Sequence, residues 1–291
     1  MAFSSHNSPV FLIPESVMLR FTPVSLLIVP ILAAAQAPIA QRENLAATVW
    51  MQRSAEMSAV TRTVYRAATA ALPAARKAGT GAALEQENRP DLPGKPAIVL
   101  DIDETVLNNM PYNAAQAANG EAWTASSWEN WVLARKAGGI DGAAEFIRAA
   151  RDMKFTVIFI SNRECRADGR YDSEGRALDC PQKAATLDNL ETVLGYRPGD
   201  DDVLLRNERR GRDDSNKSAR RREVAGRHRI AMLLGDDLED FVTRARFDPA
   251  RHAERFGTVW FALPNPVYGS WRGPYRDTEA LYRALEPWRR Q

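Results

Sequence analysis

The stretch Ala97-Ile98-Val99-Leu100-Asp101-Ile102-Asp103-Glu104-Thr105 runs from four apolar residues straight into a cluster of acids. A short apolar run bounded by turn chemistry is the pattern of a strand buried on both faces, and such strands belong to parallel sheets. Three more runs have this character: Phe155 to Ile160, Ile230 to Leu234 and Thr258 to Leu263. Helical patterns separate them, clearest at Ile140 to Arg151, Pro181 to Leu194 and Ser215 to Val224. The alternation predicts an α/β fold with a parallel sheet. In an open sheet of this kind the ligand crevice lies beyond the carboxyl ends of the strands. Two further polar clusters fall there, Ser161-Asn162-Arg163 and Gly235-Asp236-Asp237-Leu238-Glu239-Asp240. One Asp-x-Asp alone also suits an exposed turn or a helix cap. Three clusters at three strand ends point to a site.

Composition narrows the chemistry of that site. The chain of 291 residues is 45% hydrophobic and 26% charged, ordinary for a globular protein and wrong for a disordered tail. Lys and Arg total 39 against 37 Asp and Glu, so a net charge of +2 supplies no field to recruit nucleic acid or an anionic membrane. Of three His, only His228 and His252 lie beyond the N-terminal region, too few for His-rich zinc sites or a His-dependent phosphoryl relay. Metal chemistry must then run on carboxylates. Crowded carboxylates repel one another and call for a divalent cation, and oxygen-only ligands favour Mg²⁺ over zinc.

Outward from the core, Val24 to Ala35 is an apolar run after Arg20 that reads as a signal peptide, too short and too interrupted by Pro30 to span a membrane comfortably. A start at Met18 rather than Met1 places Arg20 correctly before it. No Cys follows the run for lipid attachment, so a soluble periplasmic or secreted protein without a stable membrane anchor is expected. Leu45, Val49, Met57, Val60, Val64, Ala68 and Leu72 predict one face of a long helix. Loop chemistry around Thr80 and from Glu87 to Pro96 separates it from the core. The expected organisation is a signal peptide at 1–35, a helical segment and linker at 36–95, and a core at 96–291 with a helical insert around 106–140. The Arg-rich segment Arg197 to Arg229 is offset by seven acids and reads as a solvated face rather than a nucleic-acid patch.

Spacing assigns roles within the clusters. Residues two apart in a turn can direct one carboxylate to metal binding and nucleophilic attack while the other faces the leaving group, which suits Asp101 and Asp103. Asp236 can supply a metal ligand from another strand, Ser161 can bind phosphate oxygens, and Lys217, opening a predicted helix, can offset the remaining negative charge.

Asp-Ile-Asp-Glu-Thr, Ser-Asn-Arg, a helix-borne Lys and Gly-Asp-Asp-Leu-Glu-Asp resemble the four motifs of haloacid dehalogenase (HAD) superfamily phosphohydrolases. Thr48 to Glu56, Asp101 to Tyr112, Ser127 to Val132 and Leu263 to Trp271 narrow the resemblance to class C acid phosphatases of the lipoprotein e 5′-nucleotidase family. The resemblance implies a HAD-like Rossmannoid parallel sheet with a smaller helical subdomain. It implies an exported Mg²⁺-dependent acid phosphatase acting on phosphomonoesters, nucleoside monophosphates above all, as a homodimer. Asp101 would form a phosphoaspartyl intermediate, and Asp103 would be the acid and base. Mg²⁺ would be held by Asp101, the Asp103 carbonyl and Asp236, with Asp240 orienting its waters. Ser161, Asn162 and Lys217 would grip the phosphoryl group, and Trp128 and Tyr268 would stack the substrate ring, ordinary core packing being the alternative for both. Asp237 stands where Asn is expected.

Competing classes are weaker. Six residues after Cys165 and Cys180 stand Tyr171 and Thr186, so the Arg of a Cys-based phosphatase is missing, and no Walker motif is present. A broad phosphomonoesterase and a non-catalytic binding protein on the same fold are the remaining alternatives, the second requiring erosion of a charged motif that is not seen. Cys165 and Cys180, on the loop after the Ser-Asn-Arg strand of an exported protein, are expected to form a disulfide.

Overall fold

The computed structural model describes residues 39–89, 91–165, 170–211, 215–275 and 277–288. The proposed signal segment and both candidate starts lie outside the described residues. Five strands form one parallel sheet: β1 (Pro96–Leu100), β4 (Thr156–Glu164), β5 (Val203–Arg206), β6 (Arg229–Gly235) and β7 (Trp260–Ala262). Their spatial order is β5-β4-β1-β6-β7, so β1, which feeds the acidic turn, is central. Ile98 and Leu100 face one buried cluster while Ala97 and Val99 face another. Burial on both faces removes any need for polar alternation, which is why these strands read as continuous apolar runs. β5 was hidden from that reading because only Val203, Leu204 and Leu205 carry it, between three Asp and a run of polar residues.

Between β1 and β4 the chain inserts a small cap. A short antiparallel pair, β2 (Leu107–Asn108) with β3 (Gly138–Gly139), closes its base. Two helices fill the interval: α3 is Met110–Asn119 and α4 is Ala125–Ala134, the latter started by a Thr124/Ser127 capping box. The crossover helices α5 (Ala143–Asp152), α6 (Pro181–Leu194) and α7 (Ser218–Arg227) follow the predicted order.

The single N-terminal helix expected from Leu45 to Leu72 is two: α1 (Ile39–Arg53) and α2 (Ala55–Lys77). Ser54 makes the break, taking extended backbone and accepting the Met57 N–H at 3.0 Å as an N-cap. The break resets the helical register, so Leu45 and Val49 of α1 are exposed instead of sharing a face with Met57, while Val60, within α2, lies outside its buried stripe and is exposed as well. The buried stripe of α2 is Met57, Thr61, Tyr65, Ala68, Leu72 and Ala75, and α2 continues through Pro73. No helix among the described residues is long and apolar enough to cross a membrane.

The Arg-rich segment also departs from expectation. Arg220 and Arg221 are each 1% exposed, not solvated. Arg220 donates to the Ser161 carbonyl and, at 2.7 Å, to Asn162 Oδ1. Arg221 pairs with Glu85 at 3.1 Å and donates to the Glu239 and Asp240 carbonyls. Loop carbonyls at strand ends have no ladder partners, and the several donors of a guanidinium can satisfy more than one of them.

Candidate active site

The turn after β1 is held tightly. The Asp101 N–H donates to Leu234 of β6 at 2.9 Å, continuing the strand, while Val106 and Leu107 both donate to the Ile102 carbonyl at 2.8 Å. Glu104, fully buried, takes a left-handed conformation at φ 53°, unusual for a residue with a side chain. Its carboxylate accepts the Asn109 N–H at 2.6 Å, which ties the turn shut. Burial, then the neighbouring Asp103, pushes the Glu104 carboxyl well above the ordinary carboxylate range against the two Asn109 bonds. Tyr65 of α2 donates to the Thr105 carbonyl at 2.6 Å, anchoring the turn to the N-terminal helix.

Three carboxylates meet at this edge. Oxygens of Asp101, Asp236 and Asp240 all lie within 4.8 Å of one another. The Lys217 ammonium bonds both Asp101 and Asp240. It reaches them from the N-terminal end of α7, where Lys217 is itself left-handed at φ 61°. Asp240 can approach because residue 235 is Gly: a Cβ there would come within 2.1 Å of the Asp240 carboxylate. Asp236 is fixed by Thr105 Oγ1 at 3.0 Å and by Asn265 Nδ2 at 2.9 Å. Burial raises Asp101 far above its ordinary range; Lys217 opposes this, while Asp240, Asp236 and Asp103 add to it. Burial, with Asp240 and Glu104, pushes Asp236 up to about 8. Desolvation alone would pull the Lys217 ammonium down, but Asp101 and Asp240 outweigh it and its pKa rises.

Three ionised carboxylates, two buried and one half-buried, facing one ammonium would leave two negative charges uncompensated, and removing charge from water without a partner is costly. A divalent cation among these oxygens would supply the balance, so the donor set fits a hard metal. Asp237 is occupied elsewhere: it accepts N–H bonds from Glu239 and Ser270, joining this motif to the C-terminal loop.

Asp103 is held apart from the cluster. Its Oδ1 accepts from Arg163 and from Asn109 Nδ2, both at 2.9 Å, and its Oδ2 accepts from Ser161 Oγ at 3.1 Å. Ser161 is fully buried and bonds Asp103 and the Arg163 N–H, so its hydroxyl is not on the cleft wall. Between Ser161 and Glu164 the pairing of β4 with β5 slips through a bulge, which re-aims the intervening residues. Asn162 and Arg163 both line the cleft: Asn162 donates to the Ser215 carbonyl at 2.7 Å, and Arg163 is almost wholly buried and reaches Asp103.

The cleft over these groups measures about 660 Å³, a size suited to a small organic ligand. Asp101, Asp103, Lys217, Asp236 and Asp240 line it, together with Trp128 of α4 and Tyr268. Tyr112 of α3 supports Trp128 edge-on at 5.3 Å between centroids. Tyr268 is placed by Asn265, whose Oδ1 accepts the Val267 and Tyr268 N–H groups at 3.0 and 3.3 Å. The predicted site residues therefore converge on one cleft, Ser161 lying just behind its wall. Their supports, Thr105, Asn109, Arg163 and Asn265, were not singled out by sequence. Each lies within or beside a quoted motif, which was the available signal.

Cys165 and Cys180 are joined by a disulfide with Cα atoms 5.2 Å apart. It ties the end of β4 to the start of α6.

A central parallel sheet with acids at the ends of β1 and β6 and a Lys between them defines a HAD-type phosphohydrolase. The model of the HAD superfamily, subfamily IIIB (acid phosphatase), matches residues 31–170 and 173–271, and the chain belongs to this family. It is a phosphomonoesterase of the class C acid phosphatase type. The class C acid phosphatase from Bacillus anthracis is similar at 26% identity with a TM-score of 0.66, over 86% of this chain and 99% of that one. The same enzyme with tungstate bound is similar at 25% identity, with the same TM-score and coverage.

Proposed function

We propose that the protein is an exported, Mg²⁺-dependent phosphomonoesterase that prefers nucleoside monophosphates and works through a phosphoaspartyl intermediate. The observation that carries the chemistry is Lys217 bonded to both Asp101 and Asp240, with Asp236 across the same cluster. Asp101 attacks phosphorus as the ester oxygen leaves, and Asp103 gives that oxygen its proton. In the second half Asp103 takes a proton from water as the water oxygen attacks phosphorus and Asp101 is released. Lys217 and Asn162 face the phosphoryl oxygens, and Ser161 backs them. Asp101, the Asp103 carbonyl and Asp236 would hold Mg²⁺, with Asp240 outside them; bound there, the ion neutralises charge building on the phosphoryl group. The Bacillus anthracis relative binds tungstate, an oxyanion, which is in keeping with a phosphatase that recognises phosphoryl oxygens.

Trp128 and Tyr268 on one cleft support a ring-bearing leaving group. The disulfide supports export, because such bonds persist in oxidising compartments. Hydrolysis of a panel of nucleoside monophosphates, sugar phosphates and aryl phosphates, with Mg²⁺ and with EDTA, tests the reading. Preference for nucleotides and loss of turnover in EDTA are expected. Equal rates across the panel would leave a broad phosphomonoesterase, and no hydrolysis of any member would favour a binding protein.

A further inference from the structure

Arg163 is 1% exposed, yet it is engaged on three sides within the cleft. Nε and Nη2 each lie 2.9 Å from Asp103 Oδ1. Nη1 donates to Thr186 Oγ1 of α6 at 3.2 Å, and Nη2 also reaches Asn109 Oδ1 at 3.5 Å. The guanidinium carbon sits 6.0 Å from the centroid of the Trp128 ring. Asn109 completes the frame, since its Oδ1 accepts from Trp131 Nε1 at 2.8 Å while its Nδ2 bonds Asp103. Oδ1 of Asp103 is thus saturated by a cation and an amide, whereas Oδ2 receives the rotatable hydroxyl of Ser161.

We infer that Arg163 is a positioning residue: it clamps Oδ1 of Asp103 so that Oδ2 presents to the ester oxygen, and it ties that carboxyl to the aromatic wall. This rests on the acid–base reading of Asp103. A proton donor must stay within hydrogen-bond reach of the departing oxygen, and a carboxyl free to spin in an open cleft does not. Two donors from one planar guanidinium on one oxygen remove that freedom. When the P–O bond breaks, the proton on Oδ2 passes to the leaving oxygen, and the charge left on Asp103 is met at Oδ1 by Arg163. When water attacks, its proton returns to Oδ2. Ser161 donates its hydroxyl to Oδ2 when Asp103 is ionised, and the rotor can turn away when Oδ2 is protonated, leaving that proton for the ester oxygen.

The experiment measures kcat/KM for phosphate esters of graded leaving-group basicity, from nitrophenyl phosphate to alkyl phosphates, in Arg163→Gln, Arg163→Lys, Asp103→Asn and Asp103→Asn/Arg163→Gln. Arg163→Gln is expected to lose roughly tenfold or less on nitrophenyl phosphate and ~10²-fold or more on alkyl phosphates, because poor leaving groups need the proton most. Lys keeps the charge but not the fork and should restore only part. The double variant should be no worse than Asp103→Asn, as expected when one residue acts through the other. A steep leaving-group dependence in Asp103→Asn with a flat loss in both Arg163 variants would overturn the positioning role alone. A flat loss in Asp103→Asn would overturn the acid–base reading and the inference with it. Should Arg163→Gln fail to fold, Arg163→Lys carries the same comparison.

Discussion

At the scale of single residues, the site works by crowding like charges and then distributing partners unequally. Asp101 sits among Asp103, Asp236 and Asp240, with Lys217 bonded to Asp101 and Asp240 and Arg163 taken up by Asp103. Replacing Asp101 by Asn removes one of the repelling charges and, on the proposed reading, the attacking oxygen. Turnover should fall by at least ~10³-fold while the far-UV circular dichroism of the folded protein is kept. Activity within about tenfold of the parent would exclude Asp101 as the nucleophile. The aromatic wall is separable from this chemistry, because Tyr268 enters from the loop after β7 and reaches the cleft from the far side of the chain. If it stacks a nucleobase, it contributes ~1 to 3 kcal/mol. Tyr268→Ala should then lower kcat/KM for a nucleoside monophosphate by ~5 to 150-fold, and for phenyl phosphate much less. Equal losses would make Tyr268 a packing residue and the enzyme a general phosphatase.

At the scale of elements, what was legible in the sequence were the parts that repeat a simple physical pattern. Pro96–Leu100, Thr156–Glu164 and Arg229–Gly235 each carry enough buried apolar residues to stand out, and the polar clusters at their ends follow from where an open parallel sheet keeps its crevice. Pro181–Leu194 was legible because Pro181 opens it and Gly195 closes it in a left-handed C-cap. The helix break at Ser54 was not, since Ser inside an apolar period looks like any exposed position until its hydroxyl is seen capping Met57. Nor could a linear pattern show that Arg220 and Arg221 turn inward, for their burial depends on carbonyls supplied by loops far along the chain. Helix α2 carries a consequence of the same kind. Tyr65 reaches from it to the Thr105 carbonyl, and Thr105 Oγ1 holds Asp236. Tyr65→Phe leaves that buried carbonyl without its donor and should cost about 1–3 kcal/mol in urea unfolding. It should also lower kcat, because the turn that bears Asp101 and Asp103 loses its tie to the helix. Unchanged kcat with lowered stability would show that α2 supports the fold and not the site.

At the scale of the whole molecule, the buried carboxylates make stability depend on pH and metal together. Asp236 is pushed up to about 8 and Asp101 is also strongly raised, both chiefly by burial. In the unfolded chain both titrate near about 4. Between these values the metal-free folded protein keeps protons that the unfolded chain releases, so stability is highest at low pH and is lost as pH rises toward 8. Each such carboxyl contributes a slope of up to about 1.4 kcal/mol per pH unit. His252 acts in the opposite direction: it is buried, its Nδ1 accepts the Asp248 N–H at 3.1 Å, and burial with Arg255 and Arg251 lowers its pKa. Its contribution is lost as pH falls below about 6.5. Because metal at the Asp cluster does not touch His252, comparing metal-free with Mg²⁺-loaded protein isolates the carboxylates. On the proposed reading, Mg²⁺ at this cluster would compete with the protons on Asp101 and Asp236, and it would stabilise only the folded form that assembles the site. Urea unfolding at pH 5, 6.5 and 8 in EDTA and in excess Mg²⁺ should show an increment from the metal that grows with pH, and Asp236→Asn should flatten the metal-free loss at high pH. A metal increment equal at all three pH values would mean that these carboxylates are already ionised in the folded protein across this range.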